Sequence, residues 1–214
     1  MNPCDTMLAD DEAIIRALLN EVPFDGWTRT ALRRALAACN RDPDDAAFLF
    51  PGGAADMIEA WACLADRDME AAALAADLAA YRTPARVRAI ISLRFEQNRP
   101  HREAISRAIA VLALPHNAKR AATITARTVD AIWHAAGDRS ADFAWYTKRT
   151  LLAGVYTSTL LFWLRDLSES DEDTIAFLDR RLDNVATIGK TRKAITSKLR
   201  PPRPWFMKTR GDRA

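Results

Sequence analysis

The chain has 214 residues, 49% of them hydrophobic and 28% charged, with a formal net charge of +3. That length supports one substantial core, and that composition excludes a disordered, collagen-like or disulfide-stapled protein. The charge is uneven: from Lys190 onward nine Lys or Arg face one acid, Asp212, for a net +8, which leaves 22 basic and 27 acidic residues, net −5, in the first 189.

Isoleucine and leucine recur at helical spacing almost throughout, and no stretch alternates for long with period two, so the chain reads as all-α, a single domain of about nine helices. A first helix is expected from Asp11 to Leu19, with Ile14, Ile15, Leu18 and Leu19 inward, ending before VPFDGW. Thr28 caps a second, which turns Ala31, Leu32, Ala35, Leu36 and Cys39 to one side, and Trp27 before the cap packs on Leu32 as a hydrophobic staple. A short third helix covers Asp45 to Phe50, and after PGG a fourth carries Met57, Ile58, Trp61 and Leu64 into an alanine-rich stretch. Thr83-Pro84 opens the fifth, with Val87, Ile90, Ile91 and Phe95 inward. After NRPH comes a helix with Ile105, Ile109 and Leu112 that stops before Pro115. The next runs from Ala118 to Ala136, with Val129, Ile132 and Trp133 near its end and Gly137 as its C-terminal stop. The stretch DFAWYTKRTLLAGVYTSTLLFWLRD follows as a helix. Ser170 is the expected cap of a final clear helix, with acids in its first turn and a stripe of Ile175, Leu178, Leu182 and Val185. PPRP at 201–204 ends regular structure. The organisation expected is an N-terminal part with a degenerate helix-turn-helix (1–65), a C-terminal helical part (66–189), and a basic, partly disordered tail (190–214).

The most telling stretch is Leu151 to Leu164, fourteen residues without a charge. A membrane span needs about 20. Extending the run takes in Lys148 and Arg149 at one end and Arg165 and Asp166 at the other, which leaves a core helix, a pocket wall or half of a dimer interface. As a pocket wall, Gly154, Thr157, Leu161 and Leu164 face the cavity, with Leu151 and Val155 replacing them if the helix is rotated. Just upstream, Trp145, Tyr146 and Arg149 sit within one turn of each other and are the residue types that dominate protein interfaces.

Motifs for catalysis are absent from the sequence. His101, His116 and His134 stand at no metal-ligand spacing, PGG is a helix breaker rather than a phosphate loop, and ESDED lacks the glycine of a calcium loop. Cys4, Cys39 and Cys63 are far apart, with no CxxC or Cys–His cluster, so no metal or cofactor is expected and the chain reads as reduced and cytosolic. The acidic start, MNPCDTMLADDEA, lacks the n- and h-regions of a signal peptide. Three short helices followed by longer ones form the layout of a TetR-type regulator. Yet the segment where a reading helix would lie, RDPDDAAFLFPGGAADMIE, carries one arginine against five acids, and the basic residues Arg29, Arg33 and Arg34 lie on the helix before it. A TetR-like DNA-binding regulator is the alternative reading.

The AGD turn at 136–138, DFAWYTKR at 142–149, VYTSTLLFWLRD at 155–166 and FLDRR at 177–181 resemble, in order and spacing, the signature region of the ubiquinone-biosynthesis accessory protein family. GWTRTAL and LFPGGAADMIEAW extend the resemblance more weakly upstream. It implies a TetR-like helical fold without DNA binding, a homodimer, no catalysis, and an apolar cavity that holds an isoprenoid or phospholipid. It also implies presentation of a quinone intermediate to the demethoxyubiquinone hydroxylase at a membrane surface. Trp145, Tyr146 and Arg149 match the family's partner-binding patch. The eukaryotic members' targeting segment has no counterpart here, so the resemblance points to a bacterial, cytoplasmic protein on the inner face of the membrane. The basic end supplies the expected membrane contacts, Lys198, Arg200, Trp205 and Phe206.

Overall fold

The computed structural model describes residues 9–138 and 143–198, with side-chain surroundings for 11–138 and 145–185. Among the described residues there are nine α-helices, joined in places by single 3-10 turns, and no strand. They are α1 (Ala9–Asp25), α2 (Arg29–Ala38), α3 (Ala46–Leu49), α4 (Ala54–Ala75), α5 (Thr83–Asn98), α6 (Arg102–Leu112), α7 (Ala118–Ala135), α8 (Phe143–Trp163) and α9 (Glu172–Lys198). α3 is a single turn, so eight helices carry the architecture.

The apolar periodicity decides which faces turn inward. In α1, Ile14, Ile15, Leu18 and Leu19 are buried as expected, but the helix runs on through Pro23. A proline two residues from the end removes only one ladder bond, and the Pro23 carbonyl gains a bond from Arg107 Nη2 at 3.0 Å. Thr28 is the cap of α2, its hydroxyl accepting the Ala31 N–H at 3.3 Å. Trp27 is buried in the same cluster as Leu32, and its indole donates to the Ala104 carbonyl at 2.9 Å. This first cluster joins α1, α2, the start of α4, and parts of α6 and α7. A second cluster gathers α5, the ends of α4 and α7, α8 and α9 around Phe95, Ile132, Trp163 and Leu178. Trp61 packs against both. The boundary expected at 65/66 falls inside α4, which runs unbroken from one cluster to the other.

A polar seam ties the clusters together. Arg94 and Asp66, both about 95% buried, lie 2.7 Å apart. Arg94 Nε donates to the Tyr156 hydroxyl at 2.9 Å, and the Thr128 hydroxyl donates to Asp66 at 2.9 Å. Four helices thereby meet at one buried ion pair, in which each charge is matched by the other.

One expectation needs correction here. Ser170 is not the cap of α9. That work falls to Asp166, whose Oδ2 accepts both the backbone N–H (2.8 Å) and the hydroxyl (2.6 Å) of Thr174, while Oδ1 accepts the N–H and hydroxyl of Ser168. Burial pushes this carboxyl up, but the four hydrogen bonds outweigh it and hold the pKa at about 2. Asp171, before α9, instead anchors Arg99 and Arg102, and the Arg102 guanidinium lies 4.6 Å over the Trp163 ring. Of the cysteines, Cys39 is a free thiol.

Candidate functional site: an apolar pocket and an adjoining aromatic patch

α8 decides the site by its rotation. Leu152, Val155, Tyr156, Thr159 and Trp163 recur at helical spacing and are buried. Buried Thr159 returns its hydroxyl to the Val155 carbonyl at 2.8 Å, so the inward face leaves no orphan there. Beside this face, between α5, α7, α8 and α9, lies an apolar pocket of about 190 Å³. Leu151, Leu152 and Val155 line it from α8, Val87 from α5, and Leu182 and Val185 from α9. Trp133 and Lys148 complete the wall, and Thr83 and Pro84 stand at its exposed edge. A smaller cavity of about 60 Å³ lies deeper along α5 and α8, against Arg94, Phe95, Tyr156, Leu160 and Trp163. Both volumes are below the roughly 300–1,000 Å³ that encloses a drug-sized ligand.

Gly154, Thr157 and Leu161 do not line either cavity. All three are exposed on the outward face of α8, Leu161 at 47%, and a side chain added at Gly154 would meet only open space. The helix is in the rotated register, so Leu151 and Val155 face the pocket instead. Leu164 packs against the second core cluster. Trp133, Lys148, Leu152, Val87, Leu182 and Val185 were not singled out as pocket residues. Most of them were visible as members of helical stripes, but their convergence needs the packing of four helices.

The aromatic patch adjoins the pocket. Trp145 is half-buried and Tyr146 is 68% exposed, with their rings edge-on at 4.7 Å. The Arg149 guanidinium stacks 3.8 Å over the Trp145 ring and is ion-paired with Asp130 of α7. Arg149 is therefore engaged within its own chain, where it holds Trp145 flat, rather than standing free to fork onto another protein's carboxylate. Asp138 binds pocket and patch together: its carboxylate lies 3.0 Å from Lys148 Nζ, on the pocket wall, and 3.9 Å from Arg149 Nη1. It is placed by the end of α7. Gly137 adopts φ +78°, which lets the Asp138 N–H turn back to the Trp133 carbonyl at 3.0 Å.

Elsewhere, two of the three cations of α2 are matched at home: Arg33 lies 2.6 Å from Asp44, and Arg34 lies 2.6 Å from Asp25. Among the described residues no helix is long and apolar enough to cross a membrane, and no three His, Cys, Asp or Glu gather to hold a metal. Of the expected membrane contacts, Lys198 is the last residue of α9, and Arg200, Trp205 and Phe206 lie outside the described residues.

The COQ9 family model matches residues 118–189. The rat "Ubiquinone biosynthesis protein COQ9, mitochondrial" is 42% identical over 98 residues, 46% of this chain and 31% of that protein, so the similarity spans about a third of the relative's length. The fission yeast "Ubiquinone biosynthesis protein coq9, mitochondrial" (Schizosaccharomyces pombe) is 29% identical over 183 residues, 85% of this chain and 72% of the relative. Among solved structures, a TetR transcriptional regulator from Nitrosomonas europaea superposes with a TM-score of 0.65 at 23% identity, over 82% of this chain and 97% of the regulator. At that identity the likeness concerns the fold alone. Residues 118–189 thus match the COQ9 family model, within a helical chain whose fold resembles that of the TetR regulator.

Proposed function

We propose that this chain is a non-catalytic, lipid-binding accessory protein of ubiquinone biosynthesis. Its apolar pocket takes part of an isoprenoid quinone intermediate or a phospholipid, and the patch beside it presents that ligand to a quinone hydroxylase. The observation that carries the reading is a coincidence of place. All the pocket's lining residues except Thr83, Pro84 and Val87 fall within the COQ9-matched segment, and so do Trp145, Tyr146 and Arg149. The pocket walls are hydrocarbon with few polar groups, which suits binding and not bond-making.

The remaining parts of the proposal follow from surfaces. The outward face of α8, with Gly154, Thr157 and Leu161, combines small and apolar residues beside the Phe162–Phe177 stack that joins α8 to α9. This face suits close approach of a second copy, so we assign the homodimer to it. The net +8 of residues 190–214 suits peripheral attachment to an anionic membrane on its cytoplasmic side. DNA reading is disfavoured: α3 is one turn long, and Arg33 and Arg34 are already neutralised by carboxylates.

Native mass spectrometry with lipid extraction of the protein purified from cells tests the central claim. A co-purifying quinone, isoprenoid or phospholipid, reduced by the pocket-filling change Val155→Trp, is the expected result. Protein free of lipid under conditions that preserve weak complexes would overturn it.

A further inference from the structure

The pairing of Arg149 changes what the aromatic patch offers a partner. Its side chain is 17% exposed, and its charge is met by Asp130 and approached by Asp138. Asp130 stays 49% exposed, and only its Oδ1 is engaged among the described residues. Tyr146, edge-on to Trp145, stands 68% exposed. On the α7 side the patch therefore ends in an open carboxylate oxygen rather than in a free cation.

The surface continues across α7. One turn along that helix from Asp130, His134 is 84% exposed, and its Nδ1 lies 3.1 Å from Glu70 Oε1 of α4. Glu70 and, one turn further, Leu74 line an open groove of about 480 Å³ between the ends of α4 and α7 and the start of α5. Ala71, Leu78 and Ala135 give it a low apolar wall, beside which Leu74 stands 86% exposed. The guanidinium of Arg86, which also borders the groove, is turned to the backbone carbonyls of Ala79, Tyr81 and Ala136 at 2.7, 2.8 and 3.3 Å. From Asp130 to the groove the chain thus presents carboxylates and hydrocarbon.

We infer that Tyr146, Asp130, Glu70 and the Leu74 groove form one continuous docking surface for an amphipathic helix of the protein partner, whose Lys or Arg side chains meet Asp130 and Glu70 while an apolar residue seats against Leu74. This rests on the proposed role of the Trp145 patch and adds two things: the surface reaches over α7 to α4, and the partner brings the cation. Charge selects the occupant. A second copy placed face to face brings the same carboxylates, and nucleic acid or an anionic lipid surface is repelled by them. A helix with basic residues beside an apolar stripe complements both parts of the strip, and the short side chains of Ala71 and Ala135 let its backbone approach.

The test measures binding of the full chain to the demethoxyubiquinone hydroxylase of the same cell by biolayer interferometry, with melting temperature and sedimentation as controls. Leu74→Gln and Glu70→Lys alter surface positions, and each is expected to weaken binding about tenfold at an unchanged melting temperature. Added salt should weaken the wild type and affect Glu70→Lys much less, because the attraction it screens is gone. If Glu70→Lys binds as tightly as the wild type or more tightly, the partner does not bring a cation and the inference falls. If Leu74→Gln leaves binding unchanged, the groove lies outside the interface and the inference falls likewise, while a loss with Trp145→Ala in the same assay would leave the patch reading standing. If Leu74→Gln instead breaks the chain's own association in sedimentation, a second copy fills the groove and the inference is overturned. A wild-type chain that does not bind the hydroxylase removes the partner reading and the inference with it.

Discussion

The first and second core clusters are built from the same kind of helix, yet they treat their polar groups differently. Around α1–α3, Arg33 and Arg34 are paired at the surface, and buried Trp27 donates to a backbone carbonyl. Around α5, α7, α8 and α9, two buried indole N–H groups, those of Trp133 and Trp163, have no partner, and both tryptophans border cavities. The second region is the more open one, because its unmatched indoles belong to residues that line small cavities. The COQ9 match falls on the open side, while the likeness to the TetR regulator extends over most of the chain and speaks only to fold.

The largest expected effect tests the seam between the two regions. Arg94→Leu strands Asp66 without its closest cation, and breaking a buried pair typically costs about 3–5 kcal/mol. Urea unfolding should report that loss as a lower midpoint. A loss under about 1 kcal/mol would mean that Arg127, 3.5 Å from Asp66, suffices to neutralise it.

Next comes the patch. Trp145→Ala removes a half-buried ring stacked on Arg149, and it is expected to cost at least about 2 kcal/mol of affinity for the hydroxylase, some thirtyfold. The melting temperature should fall by much less than a fully buried tryptophan would cause. Unchanged partner binding together with a large loss of stability would make the patch part of the scaffold.

A third test addresses the corner between α8 and α9. Asp166→Ala removes the bonds to Ser168 and Thr174 and should cost about 1–2 kcal/mol, as loss of a helix cap does. The pH dependence has a definite sign. The folded pKa of about 2 lies below the ordinary carboxyl value of 3.8, so the carboxylate's contribution is complete above about pH 4 and disappears as pH falls towards 2. Acid unfolding of the wild type should steepen in that window, and the alanine variant should lack this component. Identical acid profiles for the two proteins would contradict the assignment.

The smallest effect is expected at Gly154. With open space around it, Gly154→Ala should stabilise α8 by up to about 1 kcal/mol and leave lipid content unchanged. The bulkier Gly154→Trp should weaken the homodimer, read as a shift in sedimentation, if the outward face of α8 is the interface. A drop in bound lipid with either change would return Gly154 to the pocket wall.

The helices were largely legible in the chain because each depends on local signals. Thr28 caps with its own hydroxyl, Pro84 costs no bond at a first turn, Gly137 takes a left-handed conformation, and Ile90, Ile91 and Phe95 repeat at helical spacing. The nearness of Trp145 to Arg149 was equally local, being one turn of helix. What a local pattern could not decide was the rotation of α8, since a run apolar on nearly every side has no preferred inward face of its own. Contacts with α5, α7 and α9 chose Leu152, Val155 and Trp163 for the core and turned Gly154, Thr157 and Leu161 outward. The cap of α9 likewise came from Asp166 rather than from Ser170 beside it, because the turn after α8 folds back across eight residues. Arg149's partner and the pocket wall are of the same kind: sequence supplied the residue types, and only the packing of four helices determined which of them meet and which indole is left with a hydrogen to donate.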